Sequence, residues 1–251
     1  MDTQRRGKLL NEQSIFSFDC HPGVACFTDC CKDVDMTLYP YDIIRLKNRL
    51  HMSSEQFLNA HTEMDFEGDF WFPRLTLKMS DNENCSCPFL SPKGCTVYED
   101  RPFSCRSYPL ARSVTRACSI EKQKVKYYLV SHDHCLGHHE SRTWNVEEWI
   151  KKNELQTYNQ MNALWVSVDT LLKSYPFQQT GMNMNFFRLL LSASYNLDNF
   201  RVLLDEGLLK KIETPFSWDE TAKTYDDIAL MKLGFAFIRH CLTGEKIVSF
   251  R

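Results

Sequence analysis

A chain of 251 residues, 43% of them hydrophobic and 25% charged, has the composition of an ordinary globular protein and suffices for one large domain or two small ones. Its formal net charge of −2 gives no electrostatic reason to expect binding to nucleic acid or to an anionic membrane. No apolar run approaches the roughly 20 residues that a membrane span needs, and the first residues lack the apolar core of a secretory signal. We therefore expect a cytoplasmic protein with neither membrane nor nucleic acid as partner.

The first half of the chain predicts short helices and strands between loops. Residues 1–15 are polar and predict a loose or helical lead-in. Pro40 suits the first turn of a helix that runs to about residue 50, and Ser53-Ser-Glu-Gln matches the capping-box pattern of a second helix. Alternating or β-rich segments predict strands at 32–38, 74–79 and 124–130 and a hairpin at 88–98.

The composition changes after about residue 140, where helical periodicity takes over. Asn145 suits a helix cap, and an apolar stripe every three or four residues predicts a long helix that reaches about Ser174 and is ended by Pro176. Further helices are predicted at 186–195, 198–205 and 225–242, the last ended by Gly244. The predicted fold class is α+β, with a loop-rich cysteine-cluster metal-binding domain at 1–140 and an α-helical C-terminal domain at 141–251.

Cysteines carry the strongest chemical signal in the chain. There are eleven, and eight of them fall in two blocks: Cys20, Cys26, Cys30 and Cys31, then Cys85, Cys87, Cys95 and Cys105. In a reducing compartment, clustered cysteines more often bind metal than form disulfides. The odd count and the adjacent pair Cys30-Cys31 also fit a disulfide framework poorly. Metal ligation is therefore favoured over disulfide or redox pairing and over a mixture of the two.

Eight cysteines are the candidate metal ligands: Cys20, Cys26, Cys30, Cys31, Cys87, Cys95, Cys105 and Cys135. Thiolates are soft ligands that suit Zn²⁺, Cu(I) and iron–sulfur clusters. Their spacings match neither the common zinc-knuckle pattern nor the standard ferredoxin run, so the metal is left open. Seven or eight thiolates are more ligands than one tetrahedral zinc ion binds, but they suit one four-cysteine cluster plus a second site. This count favours a 4Fe-4S cluster over zinc. Cys118 and Cys241 stand alone and are expected to be small buried hydrophobes.

A histidine-rich segment surrounds the last of these cysteines. It reads His132-Asp-His134-Cys135-Leu-Gly-His138-His139. Cys135 would complete a site begun upstream, and the histidines would be metal ligands, proton carriers or incidental members of a solvated loop. The solvated loop is the favoured interpretation for the histidines.

Two arginines near the second block also have two interpretations. Arg101 and Arg106 would donate hydrogen bonds to cluster sulfurs or hold an anionic substrate. Alternatively they would pair with Glu99, Asp100 or other acids of the chain, which we favour. No catalytic residue and no residue that binds an organic cofactor is assigned from the sequence.

Several motifs together resemble a known family. They are the Cys30-Cys31 pair with cysteines before it, Asp42-Ile43-x-Arg45-Leu46, Cys87-Pro-Phe-Leu and Cys95-x-Val-Tyr98-x-x-Arg101-Pro102-x-x-Cys105-Arg106-x-Tyr108-Pro109. Over about residues 16–140 the chain resembles the YkgJ-type cysteine-cluster family, a zinc- or iron-chelating domain shared with flagellin lysine-N-methylases. Its cysteine spacings are longer than the compact Cys-x-x-Cys-x-x-Cys-Cys form of that family.

The resemblance implies a bound metal, and its methylase relatives imply an iron–sulfur cluster with S-adenosylmethionine. The chain lacks a Gly-x-Gly-x-x-Gly turn and the Cys-x₃-Cys-x₂-Cys signature of a radical enzyme, so methylase activity is not carried over. We expect a metal-binding protein that holds an iron–sulfur cluster, zinc or both and supports a group-transfer reaction. The alternatives are an S-adenosylmethionine-dependent protein lysine methyltransferase and a zinc-stapled structural or adaptor protein. Whether the chain is an enzyme is left open, and a protein substrate or partner is the expected partner.

Overall fold

Helices and short strands alternate along the chain. The computed structural model describes residues 7–67, 70–175, 183–211 and 222–247. In these ranges the helices are α1 (Pro40–Arg49), α2 (Ser54–His61), α3 (Phe103–Ser107), α4 (Val146–Lys152), α5 (Leu155–Ser174), α6 (Met184–Ser194), α7 (Leu197–Asp205) and α8 (Asp227–Thr243). The strands there are β1 (Lys8–Leu10), β2 (Phe16–Ser17), β3 (Thr37–Leu38), β4 (Thr62–Asp65), β5 (Arg74–Leu77), β6 (Leu90–Ser91), β7 (Gly94–Cys95), β8 (Leu110–Val114), β9 (Val125–Leu129) and β10 (Thr143–Trp144). The chain is thus α+β with a helical C-terminal region, as predicted.

The strands form small antiparallel sheets. Their orders are β1-β9-β8, β3-β5-β4, β10-β2 and β6-β7. Pairing of Phe16 with Trp144 in β2 and β10 brings the segment just before the first cysteine block against the start of the helical region. Because these sheets have two or three strands each, side-chain packing must supply most of their stability.

The two predicted helix starts in the first half are confirmed. Pro40 occupies the first turn of α1, where its missing N–H costs no hydrogen bond. Ser53 caps α2: its side chain accepts a hydrogen bond from the Gln56 N–H at 3.2 Å, and the Gln56 side chain accepts one from the Ser53 N–H at 2.8 Å. The sequence-local capping box therefore determines where α2 begins.

The C-terminal helices pack closely on each other and on α1. A Cβ atom on Gly234 of α8 would lie 2.0 Å from the Ala193 carbonyl oxygen of α6, so the two backbones approach as only glycine permits. Gly244 ends α8 with a φ of 75°, as the sequence predicted. The end of α5 at Ser174 is also as predicted, and Pro176 lies outside the described residues.

One hydrophobic core runs through the described chain, from Leu10 to Ile247. Polar contacts also join the helices around this core. The buried Lys47 of α1 lies 3.0 Å from Asp227 of α8, and the buried Ser54 of α2 donates a hydrogen bond to Asp198 of α7 at 2.9 Å. The division of the chain at residue 140 into two domains stays a prediction.

Other local predictions need correction. The lead-in contains β1, which pairs with β9, and so is neither loose nor helical at Lys8–Leu10. The strand expected at 32–38 is reduced to β3, because Asp33 takes a left-handed conformation with φ of 46°. The long helix is split into α4 and α5 at Glu154, whose φ is 52°. Helix α3 was not predicted.

Among the described helices, none combines the length and apolar character that crossing a bilayer requires.

Candidate metal centre

The first cysteine block is a chain of tight turns. Thr28 takes a left-handed conformation with φ of 72° and is followed by a single 3₁₀ turn, Asp29–Cys31. This turn presents Cys30 and Cys31 as neighbours whose side chains are hydrogen-bonded to each other. Hydrogen bonding to Cys31 lowers the pKa of the Cys30 thiol and raises that of Cys31. The pair therefore loses its first proton more readily than its second.

Backbone contacts bring the second block onto the first. The Cys87 N–H donates to the Cys31 carbonyl at 2.7 Å, and Lys32 and Ser86 form an isolated antiparallel bridge. The Asp33 N–H donates to the Cys85 carbonyl at 3.0 Å. The two blocks are thus joined by main-chain hydrogen bonds, which no local sequence pattern specifies.

Two further elements carry Cys95 and Cys105. Cys95 lies on β7 of the predicted hairpin, paired with Leu90. Cys105 lies on α3, whose first N–H group, that of Phe103, donates to the buried carboxylate of Asp42 at 2.8 Å. Helix α1 therefore holds in place the short helix that carries Cys105.

The histidine-rich loop, residues 132–139, also contacts the first cysteine block. The Leu136 N–H donates to the Cys26 sulfur at 3.1 Å, and the Asp19 N–H donates to the Gly137 carbonyl at 3.1 Å. A Cβ atom on Gly137 would lie 2.6 Å from the Asp19 carbonyl oxygen, so this close approach requires glycine. These contacts hold Cys135 beside the first cysteine block.

Four of the predicted ligands gather around Cys20, and we call them the first thiol group: Cys20, Cys26, Cys30 and Cys135. Desolvation by the surrounding protein, together with the charges of the other three thiols and of Asp19, raises the pKa of the Cys20 thiol to about 11. These four sulfurs are therefore within electrostatic reach of Cys20, although Cys20 and Cys135 are far apart in sequence.

The other four predicted ligands form the second thiol group: Cys31, Cys87, Cys95 and Cys105. Burial raises the pKa of Cys105, with added repulsion from Cys87, Cys30 and Cys95. Cys31 in turn feels the charges of Cys105 and Cys87. Cys30 thus interacts with both groups and lies between them.

Several backbone N–H groups point at these sulfurs. Cys87 receives hydrogen bonds from the amides of Phe89 and Leu90, and Cys95 receives one from Val97. Such N–H donors stabilise negative charge on sulfur and tune the reduction potential of iron–sulfur sites. In both thiols burial outweighs these donors and keeps the pKa raised.

The donor set fits a soft metal cation. Clustered thiols ionise with difficulty because each thiolate repels the next, and a bound cation supplies the missing positive charge and deprotonates its ligands. Within the described ranges no three His, Cys, Asp or Glu side chains already stand close enough to hold an ion. The chemistry of both groups matches zinc or an iron–sulfur cluster, which soft thiolate ligands favour.

Tyr108 connects the first thiol group to the histidines. Its hydroxyl is hydrogen-bonded to Cys135 and lies 3.2 Å from Nε2 of His138. The His132 ring stacks on Tyr108 at 5.7 Å, and the His134 ring stacks on His132 at 5.5 Å. The solvated-loop interpretation expects exposed histidines, and three of them are exposed: His132, His134 and His139. The rings of His132 and His134 are in addition stacked with Tyr108.

Of the two arginines, Arg106 has an acidic partner, as favoured, and Arg101 hydrogen-bonds to uncharged oxygens. Arg106 donates to the carbonyl groups of Glu99 and Asn153, and its guanidinium lies 3.5 Å from the Glu154 carboxylate. Arg101 donates to the Tyr98 carbonyl at 2.7 Å. Arg101 also lies close enough to Cys95 to oppose the effect of burial on the pKa of that thiol.

Three cysteines fall outside both groups. All eleven are free thiols. Cys118 is exposed, so the expectation that it is buried is wrong; it follows the sheet strand β8 on the surface. Cys241 packs on the core, and burial raises its pKa to about 11. Cys85 is exposed with a φ of 42°.

Sequence reasoning missed two residues that hold the centre together. Asp42 was quoted only as part of a motif, although its position in the first turn of α1 marks it as a helix-capping acid. Tyr108 likewise stands in the sequence only as part of a motif, and its contact with Cys135 has no local signal. Both act on residues distant in the chain.

The fold and the gathered thiols define a cysteine-rich protein of the metal-binding class. Residues 19–136, just under half of the chain, match the model of the CxxCxxCC family, described as "Putative zinc- or iron-chelating domain". The resemblance to a chelating cysteine-cluster family is thereby confirmed. No curated protein and no solved structure matches the chain.

Proposed function

We propose that the protein binds metal at two neighbouring four-thiolate sites, the first thiol group and the second thiol group, with a 4Fe-4S cluster in at least one of them. The observation that carries the proposal is the gathering of two sets of four thiols, one that includes Cys20 and one that includes Cys31 and Cys105. Four thiolates are the ligand set of a 4Fe-4S cluster and of a structural zinc ion.

The iron–sulfur version is favoured over zinc alone. Backbone N–H donors at Cys26, Cys87 and Cys95 supply the hydrogen bonds that iron–sulfur clusters use to stabilise their charge. Cys20 and Cys30 are exposed to water, so a metal can reach the thiols from solvent. Two sites side by side also account for the count of eight ligands.

Anaerobic purification, metal analysis and an absorption spectrum test this proposal. We expect iron, acid-labile sulfide and a broad visible absorption band. Cys20→Ser is expected to reduce the metal content of the first thiol group, and Cys105→Ser is expected to reduce the metal content of the second. Cys118→Ser is the matched control and should leave the metal content of both groups unchanged. A colourless anaerobic sample with stoichiometric zinc and no iron would exclude the cluster, and equal loss of all metal in both variants would contradict two sites.

A group-transfer reaction with S-adenosylmethionine is the enzymatic extension of this proposal. It is supported by the family resemblance and by the accessibility of the thiols, which would leave a bound cluster open to a small molecule. Calorimetric titration of the metal-loaded protein with S-adenosylmethionine tests it. Saturable binding that is lost in Cys105→Ser or Cys20→Ser is expected, and the absence of binding to fully loaded protein would reject methyl transfer without affecting the metal sites.

A purely structural role for the metal is the second candidate. It is favoured by the two-residue strands β6 and β7 around the cysteines, which form too few hydrogen bonds to order this segment alone. Metal binding contributes directly to folding in such segments, and residues 19–136 share one hydrophobic core with the helical region. Chelation would therefore lower the melting temperature of the whole chain. An unchanged melting temperature after complete metal removal would reject this role.

A further inference from the structure

A cavity of about 270 Å³ lies between the helical region and the sheets, lined by residues that the metal centre does not use. One wall is a stripe of α5 that begins at Asn162 and includes Trp165 and Asp169. The opposite wall is one face of β8 and its extension, where Arg112, Val114 and Arg116 point the same way because side chains of a strand alternate. At about 30 Å³ for each water, the space equals roughly nine water molecules, which is the size of a small metabolite.

Asn162 is buried at this cavity without a partner. The residue is 4% exposed, and neither its amide nitrogen nor its carbonyl oxygen has a hydrogen bond among the described residues. A buried amide left unpaired is costly, and such groups are rare in folded proteins. Asn162 therefore has both a donor and an acceptor available for a ligand.

Arg112 is the one cavity cation that lacks an acidic partner in the described part of the chain. The others are neutralised: Arg74 lies 2.9 Å from Asp35, Lys173 lies 3.3 Å from Asp169, and Arg116 lies 3.9 Å from the same carboxylate. Nε of Arg112 is buried and has no hydrogen-bond partner. An unpaired guanidinium in a sheltered position favours an anion that can accept two parallel hydrogen bonds.

The remaining lining contains one more acid, Glu67, which is neutralised by Arg74 at 3.2 Å and Lys173 at 3.8 Å. The other side chains there are aromatic or neutral. The Trp165 ring lies 5.2 Å from that of Tyr195, and the Tyr39 ring lies 6.1 Å from that of Phe103. Burial raises the pKa of Tyr39 to about 12 and also raises that of Tyr195, so both hydroxyls stay protonated and uncharged. These rings suit the apolar or planar body of a ligand rather than a second charge.

We propose that this cavity binds a small organic carboxylate with an apolar or aromatic body. Arg112 pairs with the carboxylate, Asn162 donates to and accepts from a polar group of the ligand, and the rings of Trp165 and Phe103 contact its body. None of the residues that line the cavity is a cysteine, so the site is distinct from both thiol groups.

Calorimetric titration of the full, metal-loaded chain tests the proposal with defined probes: benzoate, phenylacetate and hexanoate, with benzyl alcohol and inorganic phosphate as comparisons. We expect at least one carboxylate to bind saturably and benzyl alcohol not to bind. Arg112→Gln is expected to weaken that binding about tenfold or more, because a charge-assisted hydrogen-bonded pair is lost. The matched control is Arg188→Gln, which removes an exposed arginine of α6 outside the cavity and should bind as the wild type does.

Asn162→Leu provides an independent variant in case Arg112→Gln fails to fold. It removes the unpaired amide at nearly constant volume, so the ligand-free protein should melt no lower than wild type while carboxylate binding weakens. Metal content is measured in every variant, which separates loss of this site from loss of the metal centre. Absence of saturable binding by all three carboxylates, binding of phosphate alone, or wild-type binding in both variants would overturn the proposal.

Discussion

Phe103 and Asp42 are joined by a hydrogen bond of 2.8 Å from the backbone N–H of one to the carboxylate of the other, across 61 residues of sequence. The second carboxylate oxygen of Asp42 accepts from the Tyr39 N–H at 2.9 Å. One fully buried carboxylate therefore caps both α1 and α3, and α3 carries Cys105. The position of a predicted metal ligand depends on an acid in a different helix.

Replacing this acid should change the pH dependence of stability. Burial raises the pKa of Asp42 from 3.8 to about 7, although the Tyr39 and Phe103 amides oppose the shift. Between pH 3.8 and about 7 the folded protein keeps a proton on Asp42 that the unfolded chain has released. The stability that this proton contributes to folding is therefore fully present below pH 3.8 and is lost as the pH rises through about 7. The loss is of the order of 4 kcal/mol at most.

Urea unfolding of metal-loaded wild type and Asp42→Asn at a series of pH values checks this expectation. The asparagine side chain of the variant can cap only one of the two helices, because its amide nitrogen cannot accept a hydrogen bond. Since this amide does not titrate, the free energy of unfolding of the variant should not fall between pH 3.8 and about 7 as that of the wild type does. Parallel profiles for the two proteins would show that Asp42 does not titrate in this window.

Lys47 should matter more to stability than a lysine on the surface. Its side chain is 7% exposed and lies 3.0 Å from Asp227 and 3.7 Å from Asp198. Lys47→Met removes the cation near Asp198 and leaves Asp227 with only Arg201, at 3.9 Å. It should lower the free energy of unfolding by about 2 kcal/mol, since both acids retain some contact with water. Chemical denaturation measures the change. Lys151→Met, at an exposed position of α4, should stay within about 0.5 kcal/mol of wild type, and an equal effect of the two would contradict the role of the buried pair.

Two glycines allow a direct comparison of the metal centre with the core. In Gly137→Ala the new Cβ would meet the Asp19 carbonyl oxygen at 2.6 Å, so the loop that carries Cys135 must move away from the first cysteine block. We expect a destabilisation of about 1–3 kcal/mol together with loss of metal from the first thiol group.

Gly234→Ala is the matched control, because its Cβ would meet the Ala193 carbonyl oxygen at 2.0 Å between α6 and α8. It should destabilise the protein without changing the metal content of the protein that remains folded. Metal analysis after gel filtration distinguishes the two, and full metal content in Gly137→Ala would contradict the predicted role of Cys135 as a ligand.

Tyr108 should affect metal affinity without being a ligand. Its hydroxyl contacts Cys135 and His138, and outer hydrogen-bond partners of metal ligands typically contribute 10- to 100-fold to affinity. Tyr108→Phe should therefore weaken metal binding in the first thiol group by about tenfold in a chelator competition assay. Tyr98→Phe, which alters an exposed ring beside Arg101, should leave the affinity unchanged. Identical affinities in both variants would assign Tyr108 to packing alone.

The sequence by itself determined those features whose causes lie within a few residues of chain. Pro40 and the Ser53 capping box define where α1 and α2 begin, and Gly244 defines where α8 ends, because a cap acts within one turn. The motif around Cys105 likewise indicated the family that matches residues 19–136.

Only the tertiary structure decided which side chains meet. Leu136 and Cys26 are 110 residues apart, and their contact depends on the packing of the histidine-rich loop rather than on any spacing in the sequence. The division of the thiols around Cys20 and Cys31, the burial of Asp42 and the unpaired Asn162 beside Arg112 arise in the same way. Burial and long-range pairing depend on how whole elements pack, and local propensity carries no information about that packing.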